Sequence, residues 1–320
     1  QAMSQIEPQS AFDSVHSAIE DIRAGKMIIV TDDEGRENEG DLLMAGELVT
    51  PEAVNMMITH ARGLICAPMS AALLKRLDIS QMVTQNRESH RTAFTVTVDA
   101  AQGVTTGISA QDRARTLRVL ADENSQPCDL VQPGHIFPLC AREGGVLERA
   151  GHTEAAVDLA RLAGLRPAGA ICEIMNDDGT MARFDDLIAF KKRFGLKLLS
   201  IAQLIDYRSQ RETFVKRLAS TPAQTAHGEF TAHLYQSSMD GTRHYALSLG
   251  KLDETPTLAR MHSENAMADL FGAANFGQSA GEIDRALARI AREGKGVLVF
   301  ISQPDGGISV DNGSLCPAQQ

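Results

Sequence analysis

The 320-residue chain is long for one domain, and its 43% hydrophobic content is enough to fill two cores. With no tryptophan, 4% aromatics, a formal charge of −10 and a pI near 5.4, it lacks the stacking platforms and basic surface that a nucleic-acid partner needs. A local arginine cluster facing an anionic metabolite is still allowed.

No run is long and apolar enough to be a membrane span, and no signal peptide opens the chain. Gln1-Ala2 before Met3 reads as an expression remnant, with residues 1–9 a flexible N-terminus. The five cysteines (Cys66, Cys128, Cys140, Cys172 and Cys316) are scattered and form no C-x-x-C pair. Neither a disulfide framework nor a thiolate zinc site is indicated, and a reduced, cytoplasmic compartment fits. Cys140 and Cys172 lie in apolar runs and read as small buried hydrophobes.

The strand-like run Met27-Ile28-Ile29-Val30-Thr31 delivers Asp32-Asp33-Glu34-Gly35-Arg36-Glu37-Asn38-Glu39-Gly40-Asp41 to one end of a sheet. Six carboxylates and one arginine in ten residues repel one another. A hard divalent cation with a phosphorylated substrate would give a reason to hold them together, and a solvated acidic loop is the alternative. Composition does not decide between them.

Thr50-Pro51-Glu52 begins a helix that Arg62-Gly63 ends, and Leu64 to Ala67 returns to a strand. Gln85 to Arg91 is polar and aperiodic, a loop suited to closing over a site. Ala93 to Val98 alternates with the two-residue period of a half-buried strand. Ser109-Ala110-Gln111-Asp112 resembles a capping box opening a helix to about Asp122. Pro133-Gly134-His135-Ile136-Phe137-Pro138 holds a histidine between prolines, either a structural turn residue or a fixed general acid/base.

Thr153 is a plausible N-cap for a helix running to Ala163, whose free amides and dipole would suit an anion beside Arg149. His152 could ligate a metal or cap the turn, and with Glu37 it would form a mixed oxygen–nitrogen site for Mg²⁺ or Mn²⁺. Glu173 is a lone carboxylate in the apolar strand Ala168 to Met175, either facing solvent at its end or a base with a raised pKa. A helix from Asp185 to Phe194 and a short strand and helix to Tyr207 follow. A polar segment from Arg208 to about Thr225 marks a boundary near 208–215. Beyond it, two alternating runs flank a Met239-Asp240-Gly241-Thr242 hairpin turn, then come a helix from Ile283 to Ala291 and a strand from Gly296 to Ile301.

Six ordered motifs resemble the 3,4-dihydroxy-2-butanone-4-phosphate synthase family. They are Asp32 to Asp41, Phe94 to Val98, Gly103-Val104-Thr105-Thr106-Gly107, Pro133-Gly134-His135, Gly151-His152-Thr153-Glu154, and Asn176 to Met181, and they cover residues 10–208. The resemblance implies an α+β fold with a mixed sheet and flanking helices. It also implies conversion of ribulose 5-phosphate to the four-carbon ketone phosphate plus formate, in a cytoplasmic homodimer with active sites near the interface.

By the same resemblance Glu37 and His152 would hold Mg²⁺ (or Mn²⁺). Arg36, Glu37, Asp41, Glu173 and the segment Arg149, Ala150, Gly151, His152, Thr153 would bind substrate. His135 and Glu173 would be essential for activity, with Asp32 and Glu39 catalytic positions in the acidic loop.

Residues 209–320 resemble GTP cyclohydrolase II at Gly228-Glu229-Phe230, Tyr245-Ala246-Leu247, Thr257 to Glu264 and Asp269 to Gly272. The three zinc-binding cysteines of that family fall at Asn265, Phe276 and Gln278, none of which replaces a thiolate. Ser302 to Gly307 stands in place of its arginine- and glycine-rich stretch. A smaller, incomplete, zinc-free α+β unit without cyclohydrolase activity is expected, with His262 and Glu264 structural. The alternative is a bifunctional enzyme.

Overall fold

Strands buried on both faces need apolar residues at every position, and the runs at 28–31, 41–45 and 169–172 meet that need. The computed structural model describes residues 11–212, 215–238, 241–276, 281–311 and 314–317. The expected N-terminal remnant at 1–9 and the hairpin tip at Met239-Asp240 lie outside the described residues. Two compact units divide between Glu212 and Thr213.

The first unit runs α1 (Val15–Arg23), β1 (Ile28–Thr31), β2 (Gly40–Ala45), α2 (Pro51–Met56), β3 (Cys66–Ser70), α3 (Ala71–Arg76), β4 (Val98–Ala100) and α4 (Ala110–Ala121). It continues with β5 (Leu130–Ala141), α5 (His152–Leu162), β6 (Gly169–Glu173), α6 (Phe184–Phe194), β7 (Leu198–Ser200) and α7 (Ile201–Arg211). The sheet order is β4-β5-β3-β6-β2-β1-β7. β1 with β7 and β3 with β5 are parallel; the other neighbours are antiparallel. This is the expected mixed sheet with flanking helices.

Alternation splits the core between the two faces. Ile29, Leu42 and Met44 pack toward α2 and α4, while Ile28, Val30 and Leu43 pack toward α1, α5 and α7. Thr50 and Ser109 cap α2 and α4 through their hydroxyls, as their sequence positions suggest. A π-helical turn, Met57–Ala61, extends α2 and ends at Arg62, which is left-handed at φ 72°.

Four local expectations need correction. Ala93 to Val98 is not a strand: Phe94 and Thr95 make isolated bridges, and β4 starts at Val98. Thr95 donates to the carbonyl of Pro138, but Pro138 has no N–H to return, so the ladder cannot propagate. His135 lies within β5, not in a turn. α5 begins one residue before Thr153: Gly151 is the N-cap, in extended conformation, with no side chain capping the first amides. The polar segment beyond Arg208 is partly a strand, as the second unit shows.

The second unit contains β8 (Val215–Thr225), β9 (Gly228–Ser237), β10 (Arg243–Leu249), β11 (Leu258–Ser263), α8 (Ala266–Phe271), α9 (Glu282–Glu293), β12 (Gly296–Ile301) and a small pair, β13 (Ile308–Asp311) with β14 (Ser314–Pro317). Its main sheet has the order β11-β12-β10-β9-β8. α9 covers it through Leu287 and Ile290, against Phe230 and Leu298. β8 pairs along β9 but is exposed over most of its length, so no hydrophobic alternation reveals it in sequence.

Candidate active site and metal centre

β1 and β2 form an antiparallel hairpin, and the acidic run is its connection. Asp32 organises that loop. Its Oδ2 accepts from the Glu37 amide (3.0 Å) and Arg36 Nη1 (2.9 Å), and its Oδ1 accepts from the Glu39 amide (2.9 Å). Arg36 also donates to Glu37 Oε2 at 2.5 Å. From outside the loop, Arg183 donates to the carbonyls of Glu37 and Asn38. The crowding is thus relieved by one arginine and by backbone amides turned inward. Asp33 and Glu34 remain exposed, as solvated charge.

His152 opens α5 with its ring buried and its Nδ1 3.6 Å from Glu37 Oε2. Its Nε2 is buried without a hydrogen-bond partner, as is Oδ1 of Asp41. Asp32, Glu37 and His152 each offer a ligand atom, all within 4.8 Å of one another, and are the one such group among the described residues. Two carboxylates and one imidazole with an orphaned buried nitrogen fit a divalent cation.

The charges around this group are mutually dependent. The neighbouring His152 imidazole, helped by Arg36 and opposed by burial, holds the Glu37 carboxyl down to about 2. Burial depresses His152, but Asp41, Glu37 and Asp32 outweigh it and lift the imidazole to about 9. Burial, reinforced by Glu173, Glu37 and Glu39 and countered by His152, pushes Asp41 up to about 8. Glu39 is raised by burial and by Glu37 and Glu173.

Glu173 is the last residue of β6, half-buried, and pairs across the ladder with Asp41. The Leu64 amide donates to its Oε2 at 2.8 Å, and a Cβ at Gly63 would lie 2.4 Å from that oxygen. The α5 N-terminus is flanked by two guanidinium groups. A Cβ at Gly151 would lie 2.3 Å from Arg149 Nη1 and 3.1 Å from Arg36 Nη2, so glycine leaves room for both. Arg149 is not simply a free fork. It binds Glu154 (2.6 Å), the His90 carbonyl (3.1 Å) and Thr92 Oγ1 (2.8 Å), tying the end of the 85–91 loop to the start of α5. Ala150 lines a cleft of roughly 720 Å³ with Asp32, Arg36, Asn38 and Ile205.

His135 stands apart. β3 lies between its strand, β5, and the Glu173 strand, β6. Its ring is 43% exposed and hydrogen-bonded to Asp99. Sequence reasoning missed Asp99, although an acid between Val98 and Ala100 is the same signal that singled out Glu173. It also missed Arg183 and the Gly63-Leu64 backbone, whose contacts arise only in the folded chain.

In the second unit, buried His262 faces Asp269 (3.0 Å), and Glu264 Oε2 accepts from the Gln303 amide (2.9 Å). Asn265 caps α8 through its Oδ1 and donates Nδ2 to the Phe276 carbonyl at 2.7 Å. Gln278 lies outside the described residues.

Residues 16–207 match the family model for 3,4-dihydroxy-2-butanone 4-phosphate synthase. The chain belongs to that family. It is an enzyme of riboflavin biosynthesis with a synthase domain, and residues 216–315 match the family model for GTP cyclohydrolase II. It is 51% identical over 305 residues to the riboflavin biosynthesis protein RibBA of Aquifex aeolicus, covering 94% of this chain and 75% of that protein. Against RibBA of Bacillus cereus the identity is 49% over 302 residues, covering 94% and 76%.

Among solved structures, RibBX of A. baumannii, a two-domain synthase, superimposes with a TM-score of 0.76 at 45% identity, covering 91% of this chain and 82% of that one. A synthase in complex with two magnesium ions gives 0.61 at 44% identity, covering 62% and 98%. No described helix is long and apolar enough to cross a membrane.

Proposed function

We propose that residues 10–208 form a divalent-metal-dependent lyase that converts D-ribulose 5-phosphate to L-3,4-dihydroxy-2-butanone 4-phosphate and formate. The observation that carries this reading is the Asp32–Glu37–His152 group with its orphaned His152 Nε2, set beside two guanidinium groups at a helix N-terminus. Glu37 and His152 hold Mg²⁺ (or Mn²⁺). The ion, when bound, supplies Lewis-acid stabilisation of an enediolate. Arg36, Arg149 and the Ala150 to Thr153 turn receive the phosphate and neighbouring sugar oxygens.

Asp32 keeps the loop closed around Arg36. Asp41, protonated near neutrality, and Glu173, held by the Leu64 amide, handle protons at the sugar carbons, with Glu39 beside them. The proton that Asp41 keeps at neutral pH suits it to donate. His135 donates to the departing hydroxyl. Its exposure, with exposed Met82, Val83, Ile108 and Val131 in the same unit, supports a homodimer in which His135 serves a site shared with the second copy. The four free thiols among the described residues fit a reducing cytoplasm. The chain binds neither nucleic acid nor membrane in this reading.

Residues 209–320 lack cyclohydrolase activity and serve a structural or regulatory role. Asn265 as a helix cap and Phe276 in place of thiolates support this. The alternative, a bifunctional synthase and GTP cyclohydrolase II, is favoured by the names of the RibBA relatives and by the second family match. Formate release separates the readings. Ribulose 5-phosphate should yield formate with Mg²⁺ and none with a chelator, and GTP with zinc should yield none. Metal-independent turnover overturns the first reading, and formate from GTP establishes the alternative.

A further inference from the structure

The β4–β5 ladder breaks at one place. Val98 pairs with Ile136 but the next residue, Asp99, pairs with Val131, so Gln132 to His135 leave the ladder. Asp99 fills the gap. Its Oδ1 accepts from the His135 amide at 2.9 Å, and its Oδ2 lies 2.6 Å from the ring Nδ1. Asp99 is 6% exposed, and His135 is its one ion-pair partner among the described residues.

Two further contacts fix this pair. Gly107, at φ +92°, is packed so closely that a Cβ would lie 2.1 Å from Asp99 Oδ2 and 2.6 Å from His135 Nδ1. Asp112 pins that glycine's loop, accepting from the Gly107 amide at 3.1 Å and from Thr105 Oγ1 at 2.7 Å. A buried carboxylate tied to an exposed imidazole, and braced from behind, adds little to a fold. It does fix a ring.

We infer that Asp99 is a positioning residue for His135: it selects the tautomer and turns Nε2 outward toward substrate. A carboxylate has only acceptors, so Nδ1 keeps its proton, and Nε2, bare in the neutral ring, first takes up a proton and then gives it to the departing hydroxyl. The inference rests on the proposed role of His135 in the synthase reaction, and the test separates the two.

The full chain is compared with Asp99→Asn, His135→Gln and the double variant, reading kcat and KM for formate release, with ¹⁵N NMR of His135 in the wild type and Asp99→Asn. In Asp99→Asn the amide can accept from the His135 N–H while presenting its NH₂ to Nδ1, which forces the proton onto Nε2. The expected result is an Nδ1–H ring in the wild type and an Nε2–H ring in the variant. The variant's kcat should fall by about 100-fold or more with little change in KM, and the double variant should be no worse than His135→Gln alone.

Near-normal turnover of Asp99→Asn beside an inactive His135→Gln overturns the role of Asp99 and leaves the proposed function standing. An active His135→Gln overturns the role of His135, and this inference with it. If Asp99→Asn fails to fold, the wild-type spectrum still decides, since an Nε2–H ring there contradicts the assignment.

Discussion

Asp41 and Glu173 face each other across the β2–β6 ladder, two acids at the end of strands that are otherwise apolar and buried. Such partners have Cβ atoms about 5 Å apart, close enough that ionising one resists ionising the other. Burial takes Asp41 up to about 8, and the Glu173 charge adds to it. Glu37, two strands' turn away on the same hairpin, is held down to about 2. One hairpin therefore carries a proton-holding acid on its second strand and an ionised one in its loop at neutral pH.

The first prediction concerns protons and the metal. His152 is raised from 6.5 to about 9, so its contribution to stability is complete below about pH 6.5 and is lost as pH rises through 9. Asp41, raised from 3.8 to about 8, acts in the same direction over its own range. The metal-free protein should therefore melt at progressively lower temperature between pH 6.5 and 9. Mg²⁺ or Mn²⁺ competes with the His152 proton, so affinity should rise with pH and binding should release roughly one proton near pH 7.5. Calorimetry in buffers of differing ionisation heat measures this; affinity that falls with pH contradicts it.

Glu37→Ala should lower formate release by about 100-fold or more, since the ion is expected to supply several kcal/mol of charge stabilisation. The melting temperature should change little, because Asp32 still receives the Glu39 amide and Arg36. Turnover and thermal unfolding of the same preparation check both statements.

Gly63→Ala places a methyl group 2.4 Å from Glu173 Oε2 and 2.7 Å from the Glu173 amide nitrogen. It also meets the Glu173 carbonyl oxygen at 2.5 Å, so the carboxylate must leave the Leu64 amide and the end of β6 must shift. We expect kcat to fall on the order of 10- to 100-fold, the scale of lost positioning, together with a lower melting temperature because the backbone moves as well. Unchanged kcat would mean that the orientation of Glu173 does not matter to the reaction.

Arg149→Ala strands Glu154, whose side chain is 1% exposed and otherwise bonded to the Arg142 amide. Removing one partner of a buried pair costs roughly 3–5 kcal/mol. Arg149→Lys keeps the charge but loses the three-way contact to His90, Thr92 and Glu154, and should chiefly raise KM for ribulose 5-phosphate. Denaturant unfolding and steady-state kinetics distinguish the two effects.

Asn265→Ala removes the cap of α8 and the tie to the Phe276 carbonyl, a loss of about 1–2 kcal/mol in the second unit. Formate release from ribulose 5-phosphate should not change, and a zinc chelator should not shift the melting of this unit. Two-transition calorimetry reads the effect.

Much of the candidate site was legible because its signals are local. An acidic run after an apolar strand, a histidine beside a helix start and a glutamate inside a buried strand each stand out against their own neighbours. Asp99 carried the same signal but fell just past the end of a strand drawn from Ala93 to Val98, which starts five residues too early. That error came from period-two alternation, which does not register that Pro138 lacks the N–H the ladder needs. β8 was missed for the opposite reason: a strand exposed along most of its length has no apolar face to display.

The amino-acid order alone determined the elements that depend on near neighbours: hydroxyl caps at Thr50 and Ser109, apolar strands buried on both faces, the hairpin acids, and a break in character beyond Arg208. Only the tertiary structure decided which groups meet. Asp41 and Glu173 are paired because the sheet sets β6 beside β2, in an order unrelated to the order of the chain. His152 reaches Glu37, and Asp99 reaches His135, through the same kind of long-range closure. Caps and periodicity act within one turn or one strand, whereas those meetings depend on register and sheet order, which the whole core selects at once.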